Sequence, residues 1–147
     1  MELWFIPFAV VAIVAYGRYF YRPSWEYLRN REPDKMRWAG TYSSKDLPVV
    51  EDALDGIKNA FLLRNDDVFR LRPNDLLLDI YKSAYPHKGA DTLEFENLAL
   101  FLQKKGAPEK ALAELTNPTV GDIINLCLTL RSSSLPPVAG TRLRRAP

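Results

Sequence analysis

One cysteine in 147 residues, Cys127, leaves no intrachain disulfide to staple the fold. Its setting in an apolar run marks it as a core residue. The one histidine, His87, stands in a Pro/Gly loop with no cysteine at a ligand spacing. No Ser-His-Asp arrangement can be drawn around it, and it reads as a surface residue. Asp66, Asp67, Asp75 and Asp79 lack the spacing of a calcium loop. Gly56, Gly89 and Gly106 are too far apart to cradle a phosphate. No stretch alternates polar and apolar residues as a strand does. Nothing here supplies a catalytic or metal-binding constellation, so the chain reads as an all-α, non-enzymatic protein.

What the sequence does have begins with an apolar run. Residues 3–16 are 14 positions without a charge, and the run reaches 19 positions at Tyr21 if Arg18 snorkels to the headgroups. A membrane helix needs about 20 residues, within a range of about 17–25. Trp4 at one end and Tyr16, Tyr19 and Tyr21 at the other have the distribution of an aromatic belt. A cleaved signal peptide would show a positive leading region and small residues at a cleavage site. Here Glu2 precedes the run and bulky residues follow it. A buried core helix is the other rival. The expectation is a single transmembrane anchor over 1–21. Arg18, Arg22, Arg29, Arg31, Lys35 and Arg37 all follow the run and none precedes it, which places the N-terminus outside and the rest in the cytoplasm. The simplest setting is a bacterial inner membrane.

Charge is unevenly spread. Positions 49–130 hold 9 Lys/Arg against 13 Asp/Glu, net −4, while the flanks hold 11 against 5, net +6. A nucleic-acid binder would carry its basic patch on the folded domain, whereas basic flanks suit a membrane neighbour. Residues 22–47 read as a juxtamembrane linker in which Trp25, Tyr27, Trp38 and Tyr42 interleave with Arg and Lys. Ser24 is suited to cap a short helix to about Arg31, which Pro33 would stop. The segment reads either as a linker whose rings settle at the lipid interface or as a docking surface for an integral-membrane partner. Residues 131–147 form a basic tail with Arg142, Arg144 and Arg145, suited to anionic lipid or to ordering against a partner.

Between the flanks, positions 48–130 read as four helices. The first, near 49–63, puts Val50, Leu54, Ile57 and Phe61 on one face. A long connection follows, with Val68 and Phe69 as plugs and a short helix around Leu76 to Ile80. The second main helix runs from Asp91 to about Lys105, with Asp91 as N-cap, Glu94 completing a capping box and Gly106 as the terminating glycine. Pro108 opens a short third helix, and Thr119 caps the fourth.

The stretch Gly89-Ala90-Asp91-Thr92-Leu93 resembles the prosthetic-group site of acyl carrier proteins, in which an Asp-Ser-Leu triplet opens the second helix and the Ser carries phosphopantetheine. The order of the surrounding segments, over about residues 48–130, is similar to that family as well. The resemblance implies a small four-helix carrier-like bundle. Thr92 stands where the family has Ser, and its β-branched side chain crowds attack on the hydroxyl. The second helix ends Gln103-Lys104-Lys105 where the family is acidic, so the usual basic partners would be repelled. Glu96 replaces an apolar position, and the loop 81–88 is longer. These departures imply a degenerate member that keeps the fold without the chemistry.

The expected function is therefore that of a non-catalytic, single-span accessory subunit with no cofactor. It would bind or stabilise a larger integral-membrane complex through anchor, juxtamembrane segment and domain. Trp4, Arg18, Tyr19, Trp25, Trp38, Arg142, Arg144 and Arg145 are the candidate partner and lipid contacts. The alternative is a membrane-tethered acyl carrier bearing phosphopantetheine on Thr92. A transient assembly factor is a third reading.

Overall fold

The structure is a computed structural model that describes residues 26–85 and 93–134. The expected anchor, Thr92 and residues 135–147 of the expected basic tail lie outside the described residues, while positions 131–134, expected to begin that tail, continue the last helix instead. Among the described residues no helix is long and apolar enough to cross a membrane.

The described chain is all-α, as its apolar periodicity predicts. Eight helices follow in order: α1 (Glu26–Arg29), α2 (Met36–Thr41), α3 (Leu47–Phe61), α4 (Asn65–Val68), α5 (Leu77–Ala84), α6 (Leu93–Lys104), α7 (Glu109–Ala113) and α8 (Val120–Ser134). The one extended pairing among these residues is an isolated bridge between Leu76 and Thr119.

The hub is α3. Pro48 lies in its first turn, where a missing N–H costs nothing. Val50, Ala53, Leu54, Ile57, Ala60 and Phe61 recur at helical spacing and are all buried. Burying each large apolar side chain of this set stabilises the fold by about 1.5–3 kcal/mol. The helix packs against α6 on one side and α8 on another. Both run antiparallel to it. Phe95, near the start of α6, meets Phe61 at the end of α3, with ring centroids 5.3 Å apart. At the other end Lys105, just past α6, pairs with Asp52 at 2.7 Å, and Arg131 of α8 donates to the carbonyl of Lys45 at 3.2 Å. Gly56 permits the close approach of α6, since a Cβ there would lie 2.5 Å from the ring of Phe101.

The ends of the helices follow local chemistry. Thr119 and Asp122 exchange hydrogen bonds: the Thr119 N–H donates to Asp122 Oδ2 at 2.8 Å, and the Asp122 N–H to Thr119 Oγ1 at 3.1 Å. This satisfies two of the donors that a helix start leaves open. Gly106 has φ +91° and ends α6, a conformation that costs other L-residues about 1–2 kcal/mol.

The segment expected as a linker, 22–47, is described from residue 26 on, and there it is folded onto the bundle. Leu28 is fully buried and Trp38 is 4% exposed. The domain's core thus takes in residues well before position 48.

Candidate membrane and partner interface

The most elaborate polar structure in the described chain is the one that holds α1. A helix of four residues has little stability of its own, because nucleation fixes several dihedrals for one hydrogen bond. Leu28 supplies the apolar grip, buried against α5. Arg70, from the turn after α4, then donates from Nη1 toward the carbonyls of Leu28, Arg29 and Arg31, at 3.3, 2.8 and 2.7 Å. The Leu28 carbonyl also accepts the Arg31 N–H at 3.0 Å, and Arg70 adds donors at a helix end, where the last carbonyls have no intrahelical partner.

Arg31 completes the attachment. Its Nη1 donates to Asp75 Oδ2 at 2.6 Å, and the two side chains are only 16% and 8% exposed. Asp75 Oδ2 also accepts the Arg72 N–H at 2.7 Å, and the Asp75 carbonyl accepts the Val120 N–H at 2.9 Å. One residue therefore ties α1, the loop before α5 and the start of α8 together. The Arg31 guanidinium lies 4.3 Å from the centre of the Tyr27 ring and donates to its hydroxyl. Burial by itself lowers the Arg31 pKa, but the hydrogen bond and charge of Asp75, with a smaller part from Tyr27, outweigh it and hold the guanidinium above its ordinary value. The group is therefore a fixed positive charge at any physiological pH.

The chain is tied down again at Asp34. Its N–H donates to the carbonyl of Phe69 at 2.9 Å. Its Oδ1 accepts the N–H groups of Met36 and Arg37 at 3.1 and 3.0 Å, which starts α2. Lys35 Nζ sits 4.9 Å from the centre of the Phe69 ring. Around this clamp Met36 is 75% exposed and Tyr27 40% exposed. Arg29, Glu32 and Lys35 are exposed as well.

Of the contact residues expected from sequence, Trp38 alone falls among the described ones. Its ring is taken up by the chain's own core and stacks on Tyr42, with centroids 6.2 Å apart. Trp4, Arg18, Tyr19, Trp25, Arg142, Arg144 and Arg145 lie outside the described residues, as does Thr92. Reading the sequence missed the roles of Arg70 and Asp75, whose partners stand some 40 residues away along the chain.

Among the described residues, hollows also lie elsewhere. One of about 140 Å³ is apolar and is lined by Phe95, Leu98 and Leu102 of α6, with Leu112, Leu115 and Ile123 opposite. Another of about 250 Å³ is lined by Val49, Asp52, Lys105, Cys127, Leu130 and Arg131. Burial pushes the Cys127 thiol up to about 11, with Asp52 adding to the shift and Lys105 opposing it, so this is an unreactive thiol at neutral pH. Among the described residues no group of three His, Cys, Asp or Glu side chains is placed to hold a metal ion. Comparison with protein-family models, with curated proteins and with solved structures finds no match.

Proposed function

We propose that this chain is a non-catalytic, single-span accessory subunit that binds or stabilises a larger integral-membrane complex. The observation that carries the reading is the clamp on α1. The apolar run 3–21 is followed within a few residues by a helix locked to the bundle through Leu28, Arg70 and the Arg31–Asp75 pair. An anchor at that position holds the bundle close to the membrane, as suits a subunit that braces a larger assembly. A loosely tethered carrier, by contrast, benefits from a long and flexible linker.

The bundle in this proposal is a degenerate carrier-like domain. That part rests on the residues around Thr92 and on the reversed charge at Lys104 and Lys105. The basic flank after the run favours a cytoplasmic domain.

Purification of the native protein from its own membrane, in mild detergent, tests the proposal. A stoichiometric assembly with integral-membrane subunits is the expected result. Recovery of the chain alone, at its own mass, refutes it.

A further inference from the structure

Resting on the anchor reading above, we infer that the end of the bundle that carries α1 and the start of α2 lies on the bilayer, with Tyr27, Arg29, Lys35 and Met36 among the headgroups of anionic phospholipids.

The argument starts from chain length. Only residues 22–25 separate Tyr21, the last of the apolar run, from Glu26, the first of α1. Five Cα-to-Cα steps reach at most about 18 Å when fully extended. The polar layer of one leaflet takes up about 5–8 Å of that reach. So α1 begins no more than about 10–13 Å beyond the headgroups, however the intervening residues run.

Nor can α1 leave the bundle to relax this limit. Arg70 holds its last carbonyls, Asp75 holds Arg31, and the Asp34 N–H is held by Phe69. Asp75 also receives the first N–H of α8, so the tethered end of the bundle is the N-terminal end of that helix. The 15 residues of α8 span about 22 Å, which sets its far end, where Arg131 meets Lys45, well away from α1.

The surface at the tethered end suits its surroundings. Met36 presents a flexible thioether at 75% exposure, and Tyr27 a ring with a polar tip at 40%. Arg29 and Lys35 are exposed beside them against one exposed acid, Glu32. Asp34 is half-buried and pairs with Arg37 at 3.4 Å. Each basic residue close to an anionic leaflet strengthens attachment about fivefold.

Site-directed quenching tests this. The full-length chain is prepared as Met36→Cys and, for the far end, Ser132→Cys. Each new thiol carries an environment-sensitive dye, and the buried Cys127 stays unlabelled in the folded protein. Both variants are reconstituted into vesicles of phosphatidylcholine with phosphatidylglycerol and lipid-borne headgroup quencher. The expected result is strong loss of emission at position 36, little at position 132, and partial recovery at position 36 when Lys35→Glu is added. Co-flotation with the vesicles but equal emission at the two positions overturns the inference and leaves the anchor standing. Failure to co-float with vesicles overturns the anchor reading, and this inference with it. Shielding of position 36 in native membranes but not in lipid vesicles assigns the face to a protein and overturns the lipid assignment.

Discussion

Removing the carboxylate of Asp75 is the sharpest test of how the first helix is held. The Arg31–Asp75 pair is 2.6 Å long and mostly buried, with side-chain exposures of 16% and 8%. Deleting one member of a buried pair leaves the other charge unmatched, at about 3–5 kcal/mol when burial is complete. The residual exposure of Arg31 reduces that to about 2 kcal/mol. Asp75→Ala also strands the Arg72 N–H, which adds about 1 kcal/mol. The expected cost of Asp75→Ala is thus about 3 kcal/mol, a fall in melting temperature of about 10 °C for a domain of this size. Arg31→Met should cost less, since Asp75 keeps its bond to Arg72. In the double variant most of the first penalty should return, for a coupling energy of about 2 kcal/mol. Urea titration of the four full-length proteins, followed by circular dichroism, measures this. Hydrogen exchange adds the location: the Arg31 and Asp34 amides, bonded to the carbonyls of Leu28 and Phe69, should lose protection before those of α3. A coupling below about 0.5 kcal/mol, the value of an exposed pair, would refute the reasoning. So would unchanged exchange at those two amides.

Other outcomes follow from the same structure. Gly56→Ala should gain about 1 kcal/mol of helix propensity and lose about 1–3 kcal/mol to the Phe101 ring, for a net loss that Phe101→Leu relieves; a net gain in the urea midpoint would show that the ring swings away freely. Thr119→Ala should destabilise by about 1 kcal/mol, and Thr119→Ser should keep most of the cap, as thermal melts would show. Because the Cys127 thiol is raised from its usual value of 9.0 to about 11, its contribution to stability is complete below pH 9 and is lost as pH rises toward 11. The urea midpoint of the native protein should therefore fall more steeply over that window than that of Cys127→Ala, and parallel profiles would count against a buried thiol. Intact mass of the native protein should match the unmodified sequence; a gain equal to a phosphopantetheine arm, lost in Thr92→Ala, would replace the accessory-subunit reading with the carrier one.

The elements legible in the sequence are those built from local rules. Pro48 and the apolar spacing from Val50 to Phe61 announce α3 to within two residues of its bounds. Thr119 marks the start of α8, and Gly106 the end of α6. What was not legible depends on distant partners. Asp34 follows Pro33 and opens α2, and Trp38 and Tyr42 share the spacing of one helix face, so a local signal for α2 existed. In the sequence, Pro33 reads only as the stop of the short helix before it. The packing of α1 had no local signal at all. Arg70 reads as one more loop arginine until its acceptors, 39 to 42 residues earlier, are in place. The same holds for Trp38, whose composition suggests a surface aromatic and whose place is the core.

The antiparallel seating of α3 between α6 and α8 has a consequence for biosynthesis. Of these three helices the hub leaves the ribosome first, and α8, which covers one of its flanks, is the last described element to emerge. At ordinary elongation speeds the delay between Phe61 and Ser134 is about 4–15 s. Part-way through that interval α6 becomes available to cover its own side of α3, but the side that meets α8 stays open until translation delivers the closing segment.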